Sequence, residues 1–382
     1  MDKKLPKDID SNIDKKTRVL VNAIHAKSGG GVTYLKNILP LLVKDPSLEI
    51  HLLLGEKQLD VFTSLDDGIS VYPRKIPNNF FLGLLWEQIM LPFIARNLST
   101  NVTFSPSNYG PLFAPRSVIM LRNSLEVGKT ETRLVKQLYW LGLRVMTWLS
   151  LIRCKRAIAV SKYAEQSLTF GLRKLLSKVE VIYHGVQNIF LSNMNQIRED
   201  FFLVVSDIYI QKNIHNLLIA LATITDKFPN AKLKIAGSSI DINYLESLNI
   251  IIKKNNLQDA VEFLGRKSSE ELVLLYQKCQ IFIFPSTIET FGNPLLEAMA
   301  CGAPIACSNT AAMPEIAKDA ALYFNPAEPD DIARKIIQLT EDEVLLKSLS
   351  QKSLARAELF SWEVTAEKTI EVIKSASNSR KM

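Results

Sequence analysis

The chain has 382 residues and 43.0 kDa, with 47% hydrophobic and 22% charged residues, enough apolar content for two packed domains and too much for a mostly disordered chain. Glycine (15) and proline (16) are too sparse for a collagenous or low-complexity protein, and four scattered cysteines and four histidines at no zinc spacing exclude a disulfide scaffold and a structural zinc site. The net charge of +7 is uneven: residues 1–190 hold 26 basic and 15 acidic side chains, 191–382 hold 20 and 24, and 116–178 alone hold 13 and 3, so the first half is expected to face something anionic.

Residues 1–17 form a charged start without the apolar core of a secretory signal, and no uninterrupted apolar run reaches 18 residues. A cytoplasmic protein with no spanning helix is expected. Arg18 to Ala23 is a short apolar strand leading into Ser28-Gly29-Gly30-Gly31, and Val32 to Val43 follows with helical spacing. Strand, glycine turn and helix open a doubly wound α/β domain. Glu49 to Leu54 is a second strand, Leu84 to Leu98 a helix kinked or split at Pro92, and Val118 to Leu121, Ala157 to Val160 and Val179 to Tyr183 are further short strands.

Leu134 to Ile152 is apolar nearly all round, with Tyr139, Trp140 and Trp148 interleaved and Arg153, Lys155 and Arg156 following. It reads either as a core helix or as an interfacial helix whose basic flank, to residue 156, meets anionic headgroups. A second α/β series starts at Phe201 to Val205 and continues through Lys232 to Ala236, Val261 to Leu264, Ile281 to Phe284, Ile305 to Cys307 and Ala321 to Phe324, each followed by a helical pattern. That alternation calls for parallel sheets with crossover helices. The expected domains are 18–188 and 189–360, with 361–382 a C-terminal helix returning toward the first.

The segment from Phe284 to Ser308 carries most chemistry. A buried strand ends at Pro285, a loop holds Glu289, Phe291 and Gly292, Asn293 reads as an N-cap with Pro294 at the first helical position, and Leu295 to Cys301 forms a helix stopped by Gly302. Gly292 lets a ligand approach the backbone where a helix N-terminus aims its N–H groups, which makes an anion site. Two carboxylates beside it, Glu289 and Glu297, suit the hydroxyls of a sugar or ribose better than bare phosphate.

This Glu-x7-Glu segment, with Asn309, Pro314-Glu315 and Phe360-Ser361-Trp362, resembles the retaining nucleotide-sugar glycosyltransferases of two-Rossmann GT-B architecture, family 4 in particular. Weaker echoes lie at Gly29 to Gly31, Trp86-Glu87-Gln88, Ser161, His184-Gly185-Val186, Lys212-Asn213 and Phe263-Leu264-Gly265. The resemblance implies an α/β chain whose two doubly wound domains face each other across a cleft. It also implies metal-independent, cofactor-free, retaining transfer of a sugar from a nucleotide diphosphate to a glycan or lipid-linked acceptor, in surface-polysaccharide biosynthesis. Glu289 and Lys212 would be catalytic, the first at the donor sugar and the second at the leaving diphosphate. Glu297 would hold the ribose, and the backbone of Phe291, Gly292, Asn293, Pro294 and Leu295 the diphosphate. Ser206 would line the donor side, Gly30 and Gly31 would close on the diphosphate, and Arg266 would face the nucleobase. His25, Arg122 and Asn123 would lie on the acceptor side. Nucleic acid is not expected as a partner, and membrane contact would run through 134–156.

Two positions depart from the family pattern. Asp207 stands where an arginine usually precedes the lysine by five residues, so Arg266 or another cation must compensate. Arg122-Asn123 replaces a histidine, and Arg122 reads either as a structural ion pair or as a site residue. These departures motivate two alternatives: a non-catalytic nucleotide-sugar-binding subunit, or a GT-B epimerase.

Overall fold

A computed structural model of the chain describes residues 16–27, 29–126, 134–190 and 197–378; most of the charged start and the last four residues of the C-terminal segment lie outside them. The first sheet is parallel throughout, with β1 (Thr17–Asn22), β2 (Leu48–Gly55), β3 (Ile69–Arg74), β4 (Val102–Ser105), β5 (Ser117–Leu121), β6 (Arg156–Ala159) and β7 (Val179–Val181) in the order β3-β2-β1-β4-β5-β6-β7. Its helices are α1 (Gly30–Val43), α2 (Phe80–Asn97), α3 (Leu134–Arg153), α4 (Lys162–Thr169) and α5 (Arg173–Leu176). The second sheet, also parallel, holds β8 (Glu199–Val205), β9 (Lys232–Ala236), β10 (Val261–Gly265), β11 (Cys279–Phe284), β12 (Ile305–Ser308) and β13 (Leu322–Phe324) in the order β10-β9-β8-β11-β12-β13. Around it lie α6 (Ile214–Lys227), α7 (Ile242–Lys254), α8 (Ser269–Lys278), α9 (Asn293–Ala300), α10 (Met313–Ala317), α11 (Pro329–Glu341) and α12 (Glu343–Ala357).

Strand order reverses between β1 and β4 in the first sheet and between β8 and β11 in the second. Such switch points open crevices at the carboxyl ends of strands, where ligands bind in doubly wound folds. The apolar run Val19 to Val21 of β1 and the whole of β5 are enclosed, as helices on both faces require. The pattern missed β3 and β4 for physical reasons. β3 is a half-exposed edge strand carrying Pro73, and β4 alternates apolar residues with Thr103 and Ser105, which are nonetheless buried. Helix α2 starts earlier than its spacing suggests because the Asn79 side chain accepts from the N–H groups of Phe81 and Leu82, and Pro92 lies inside it. All four cysteines are buried free thiols, and burial pushes Cys154 up to about 11 and Cys279 up to about 12.

A last helix, α13 (Trp362–Asn378), crosses back onto the first domain. Trp362 packs edge-on to Tyr34 of α1 (5.9 Å), and Lys374 pairs with Asp45 (2.8 Å). Phe291, Phe360 and Trp362 carry one apolar cluster through both domains. The crossover needs Gly185, because a Cβ there would sit 2.2 Å from the Trp362 backbone nitrogen. Gly185→Ala is therefore expected to lower Tm by roughly 5–10 °C in a thermal melt; an unchanged Tm would show that the crossover backbone yields.

Candidate functional site

The second switch point is built from the turn after β8 and the loop after β11. Asn213 ends the turn in left-handed conformation (φ 55°), and its side-chain amide donates to the carbonyls of Pro285 (3.1 Å) and Pro326 (2.7 Å). Thr287 N–H donates to Gln211 O (3.0 Å), so the two loops are laced together. Lys212, 9% exposed, lies between them with its ammonium 2.5 Å from Glu289 Oε1 and 5.2 Å from the Tyr209 ring centre. Burial alone would lower the lysine pKa; the Glu289 carboxylate and Tyr209 reverse that and raise it. Lys212 thus holds its charge in the enclosed site.

Helix α9 begins differently from the sequence expectation. Its N-cap is Gly292, at φ 88°, which puts Asn293 and Pro294 at the first two helical positions. Asn293 does not cap. Its Oδ1 instead accepts from His184 Nδ1–H (3.2 Å), across from the β7 end of the first domain. The Leu295 amide is not free either, since it donates to Gly292 O (3.0 Å) to close the first turn. The N–H groups of Phe291, Gly292 and Asn293 have no protein acceptor among the described residues. The Phe291 side chain is packing, buried against Tyr183, His184 and Phe360. Further along α9, Glu297 is partly buried; burial pushes its carboxyl up to about 7, against the Tyr276 hydroxyl that donates to it at 3.1 Å. Ser206 Oγ, at the end of β8, is buried without a partner.

The first domain meets this surface through the glycines. Gly29, at φ 58°, caps α1, and the amides of Gly30 and Gly31 are likewise unused. A Cβ on Gly30 would lie 3.2 Å from the Asn293 side-chain nitrogen, and one on Gly31 2.5 Å from an Arg122 guanidinium nitrogen. Arg122 follows β5. Its backbone and that of Asn123 are held by Asn108, and its carbonyl accepts from Thr290 Oγ1 of the second domain. No carboxylate pairs with its guanidinium among the described residues. Burial lowers its pKa to about 10, so the charge persists at neutral pH. Among the described residues, the exposed side chain of Asn123 makes no bond of its own.

The structure places three of the positions the sequence singled out. Asp207, in the place of the usual arginine, accepts from Ser238 N–H (3.0 Å) and ties the β8 and β9 loops together. Arg266 is exposed just past the end of edge strand β10, and among the described residues it makes no hydrogen bond or ion pair. The cation that lies beside Gly31, opposite α9, is Arg122, which no local pattern could place there. His184, one of the weaker family echoes, lies beside Asn293 and Phe291 at the start of α9. Burial and the Arg122 charge push it down to about 4, so it is neutral, with Nε2 buried and unpartnered. Missed altogether was the interdomain latch. Glu315 accepts from the N–H groups of Lys162 (2.7 Å) and Tyr163 (3.1 Å) at the start of α4, and Ser161 Oγ donates to Thr290 O (2.5 Å). The echoes at Ser161 and Pro314-Glu315 were its signal.

Since the atom nearest a Gly31 Cβ is the far end of a flexible arginine, Gly31→Ala is expected to keep the fold and push Arg122 out of the cradle. A change of no more than about 2 °C in Tm, with at least about tenfold weaker nucleotide-diphosphate binding by calorimetry, is the expected result; equal affinity would remove Arg122 from the site. Among the described residues, no group of three or more His, Cys, Asp or Glu side chains is placed to hold a metal ion.

Two doubly wound domains that meet across their switch points define the GT-B class of fold. HepE of Anabaena, solved in complex with UDP and glucose, has that fold: TM-score 0.73 at 18% identity, over 94% of this chain and 100% of that one. Residues 189–356 match the model of the family described as glycosyl transferases group 1, and this domain belongs to that family. O-antigen chain mannosyltransferase B of Escherichia coli is 36% identical over 124 residues, 32% of either chain. O-antigen chain mannosyltransferase RfbU of Salmonella typhimurium is 31% identical over 183 residues, 48% of this chain and 50% of the relative. The chain therefore spans a third to a half of the length of these curated relatives.

Proposed function

We propose that the chain is a retaining, metal-independent glycosyltransferase that moves a hexose from a nucleotide-diphosphate donor to a glycan or lipid-linked acceptor in surface-polysaccharide assembly. One observation carries this reading: the first N–H groups of two helix N-termini, α1 and α9, converge on one cleft with Arg122, and among the described residues none of them has a protein acceptor and Arg122 has no carboxylate partner. That arrangement fits two adjacent phosphates. Cleaving the anomeric C–O bond leaves positive charge on the sugar and adds negative charge to the departing diphosphate. Arg122, Lys212 and the helix amides are already in place to receive it without reorganising. Glu289, beside Lys212, accepts from donor-sugar hydroxyls, and Glu297 accepts from the ribose. Departure and attack on one face give retention, with a diphosphate oxygen taking the acceptor's proton. The names of the two O-antigen mannosyltransferase relatives make mannose the first sugar to test.

The test is a thermal-shift screen of GDP-mannose, UDP-glucose and related donors, followed by nucleoside-diphosphate release with a membrane-extracted glycolipid. A shift of several degrees with one donor, acceptor-stimulated release and an axial product linkage from an axial donor are expected. No shift with any donor would sink the reading. A shift without turnover would favour the binding subunit, and an inverted linkage would remove retention.

Membrane contact belongs to the same proposal. Among the described residues, no helix is long and apolar enough to cross a membrane. Helix α3, however, exposes Leu141, Val145 and Trp148 along one side, and α2 exposes Leu85, Ile89 and Phe93. The two helices are joined where Phe80 packs on Tyr139 at 4.5 Å. An exposed apolar surface this long, whose α3 part lies inside the basic region 116–178, suits an anionic lipid surface. Cosedimentation with phosphatidylglycerol vesicles at low salt, lost in Trp148→Glu, is expected; equal pelleting of the variant would count against the stripe.

A further inference from the structure

The mechanism uses the glycine turn at the first switch point but leaves Trp86-Glu87-Gln88 beside it without a chemical role, although Glu87 is fully enclosed there. Glu87 of α2 is 0% exposed. Its Oε1 accepts from the Asn22 side-chain amide (2.7 Å) at the end of β1, and its Oε2 lies 2.9 Å from His25 Nε2 on the following loop. His25 is only partly buried, and its other nitrogen, Nδ1, lies 3.4 Å from the Tyr109 hydroxyl on the loop after β4. The neighbouring Gln88 holds that second loop, donating to Gly110 O (3.3 Å) and accepting from Leu112 N–H (2.9 Å). Adjacent side chains of Trp86-Glu87-Gln88 thus fasten the two loops that flank the β1/β4 reversal. His25 stands four residues before Gly29, the N-cap of the helix that rims the diphosphate cradle.

Where the Glu87 carboxylate accepts, the ring nitrogen facing it carries the hydrogen, and in the neutral imidazole Nδ1 then carries the lone pair. The His25 ring is partly exposed while Glu87 is enclosed, and the 3.4 Å bond of Nδ1 to Tyr109 is long enough to be exchanged for a better one. We propose that His25 Nδ1 accepts a hydrogen bond from the attacking hydroxyl of a saccharide acceptor, and that Glu87 is the positioning residue that fixes the ring's tautomer and direction. This assignment rests on the glycosyl-transfer reading and deepens it. No bond forms to the histidine and no proton passes to it; the ring aims the hydroxyl oxygen at the anomeric carbon, as a carboxylate-held imidazole aims a ligand in other sites.

The test uses the full chain labelled with ¹⁵N-histidine, GDP-mannose (or UDP-glucose, if the thermal screen selects it) as donor, and methyl α-mannoside as acceptor probe. Ring ¹⁵N shifts assigned through His25→Gln are expected to show the Nε2–H tautomer in the wild type and a tautomer mixture in Glu87→Gln, which keeps the shape of the side chain. Adding the mannoside in the presence of GDP should move the Nδ1 resonance in the wild type. Glu87→Gln and His25→Gln should each raise the KM for the mannoside at least about tenfold, with a smaller change in donor KM. An Nδ1–H tautomer in the wild type, or a variant effect on donor KM alone, would overturn the assignment while leaving glycosyl transfer standing. If no nucleotide sugar binds the wild type, the reading falls and the assignment falls with it.

Discussion

Lys212→Ala is expected to lower nucleoside-diphosphate release at saturating donor by about 100- to 1,000-fold, the loss seen when one pre-placed group facing developing negative charge is removed. The same change leaves Glu289 in an enclosed site without its cation. Breaking a buried pair from one side is destabilising by about 3–5 kcal/mol. Because Glu289 keeps 19% side-chain exposure, the lower end applies. Stability and catalysis separate in the double variant Lys212→Met with Glu289→Gln. Removing both charges restores most of the Tm but not the turnover, because no group then meets the leaving diphosphate at that side. Thermal melts alongside release assays check both. Turnover of Lys212→Ala within about tenfold of the wild type would take the lysine out of the mechanism.

Glu297→Gln should move stability and binding in opposite directions. Burial raises the native carboxyl from the ordinary glutamate range to about 7, so between about pH 4.5 and 7 the native state holds a proton that the unfolded chain has released. Stability from this group is full below that window and falls as pH rises through it, by roughly 3 kcal/mol in total. Glutamine has no proton to lose and still accepts from Tyr276. The variant's unfolding free energy should therefore lack this slope and exceed that of the wild type at pH 8. Ribose hydroxyls donate more strongly to an ionised carboxylate than to a neutral oxygen, so the wild type should bind donor more tightly above pH 7 than below it. Glu297→Gln should bind at least about tenfold more weakly at pH 8. Urea melts at pH 5 and 8 and donor titrations at both values decide the matter; parallel stability curves for the two proteins would show that Glu297 titrates normally.

Local signals carried a good part of the site into view. The run of β11, Gly292 and α9, with carboxylates at 289 and 297, is a strand–loop–helix unit whose hydrogen bonds close within a few residues, so its outline is legible in residue order. The one local error, Asn293 as a cap, came from a distant competitor: His184 takes the side chain that local propensity assigns to the helix end. Exposure along α3 was ambiguous for a similar reason, because a nearly uniform apolar helix does not say which side has a partner. The α2 contact at Phe80 and the outward Leu141 and Trp148 settle that.

Residue order alone therefore reached the α/β class, two domains, the charge split between them and the carboxylate-bearing loop, since each depends on composition or on contacts a few residues apart. The pairing of Lys212 with Glu289, Arg122 facing Gly31 without a carboxylate, the Glu315 latch on α4 and the hold of Glu87 on His25 required the folded chain. Those partners lie 62 to 153 residues apart in the interactions that form hydrogen bonds. They meet because strand order reverses at β1/β4 and at β8/β11, which brings loops from opposite ends of each domain's sequence to one edge.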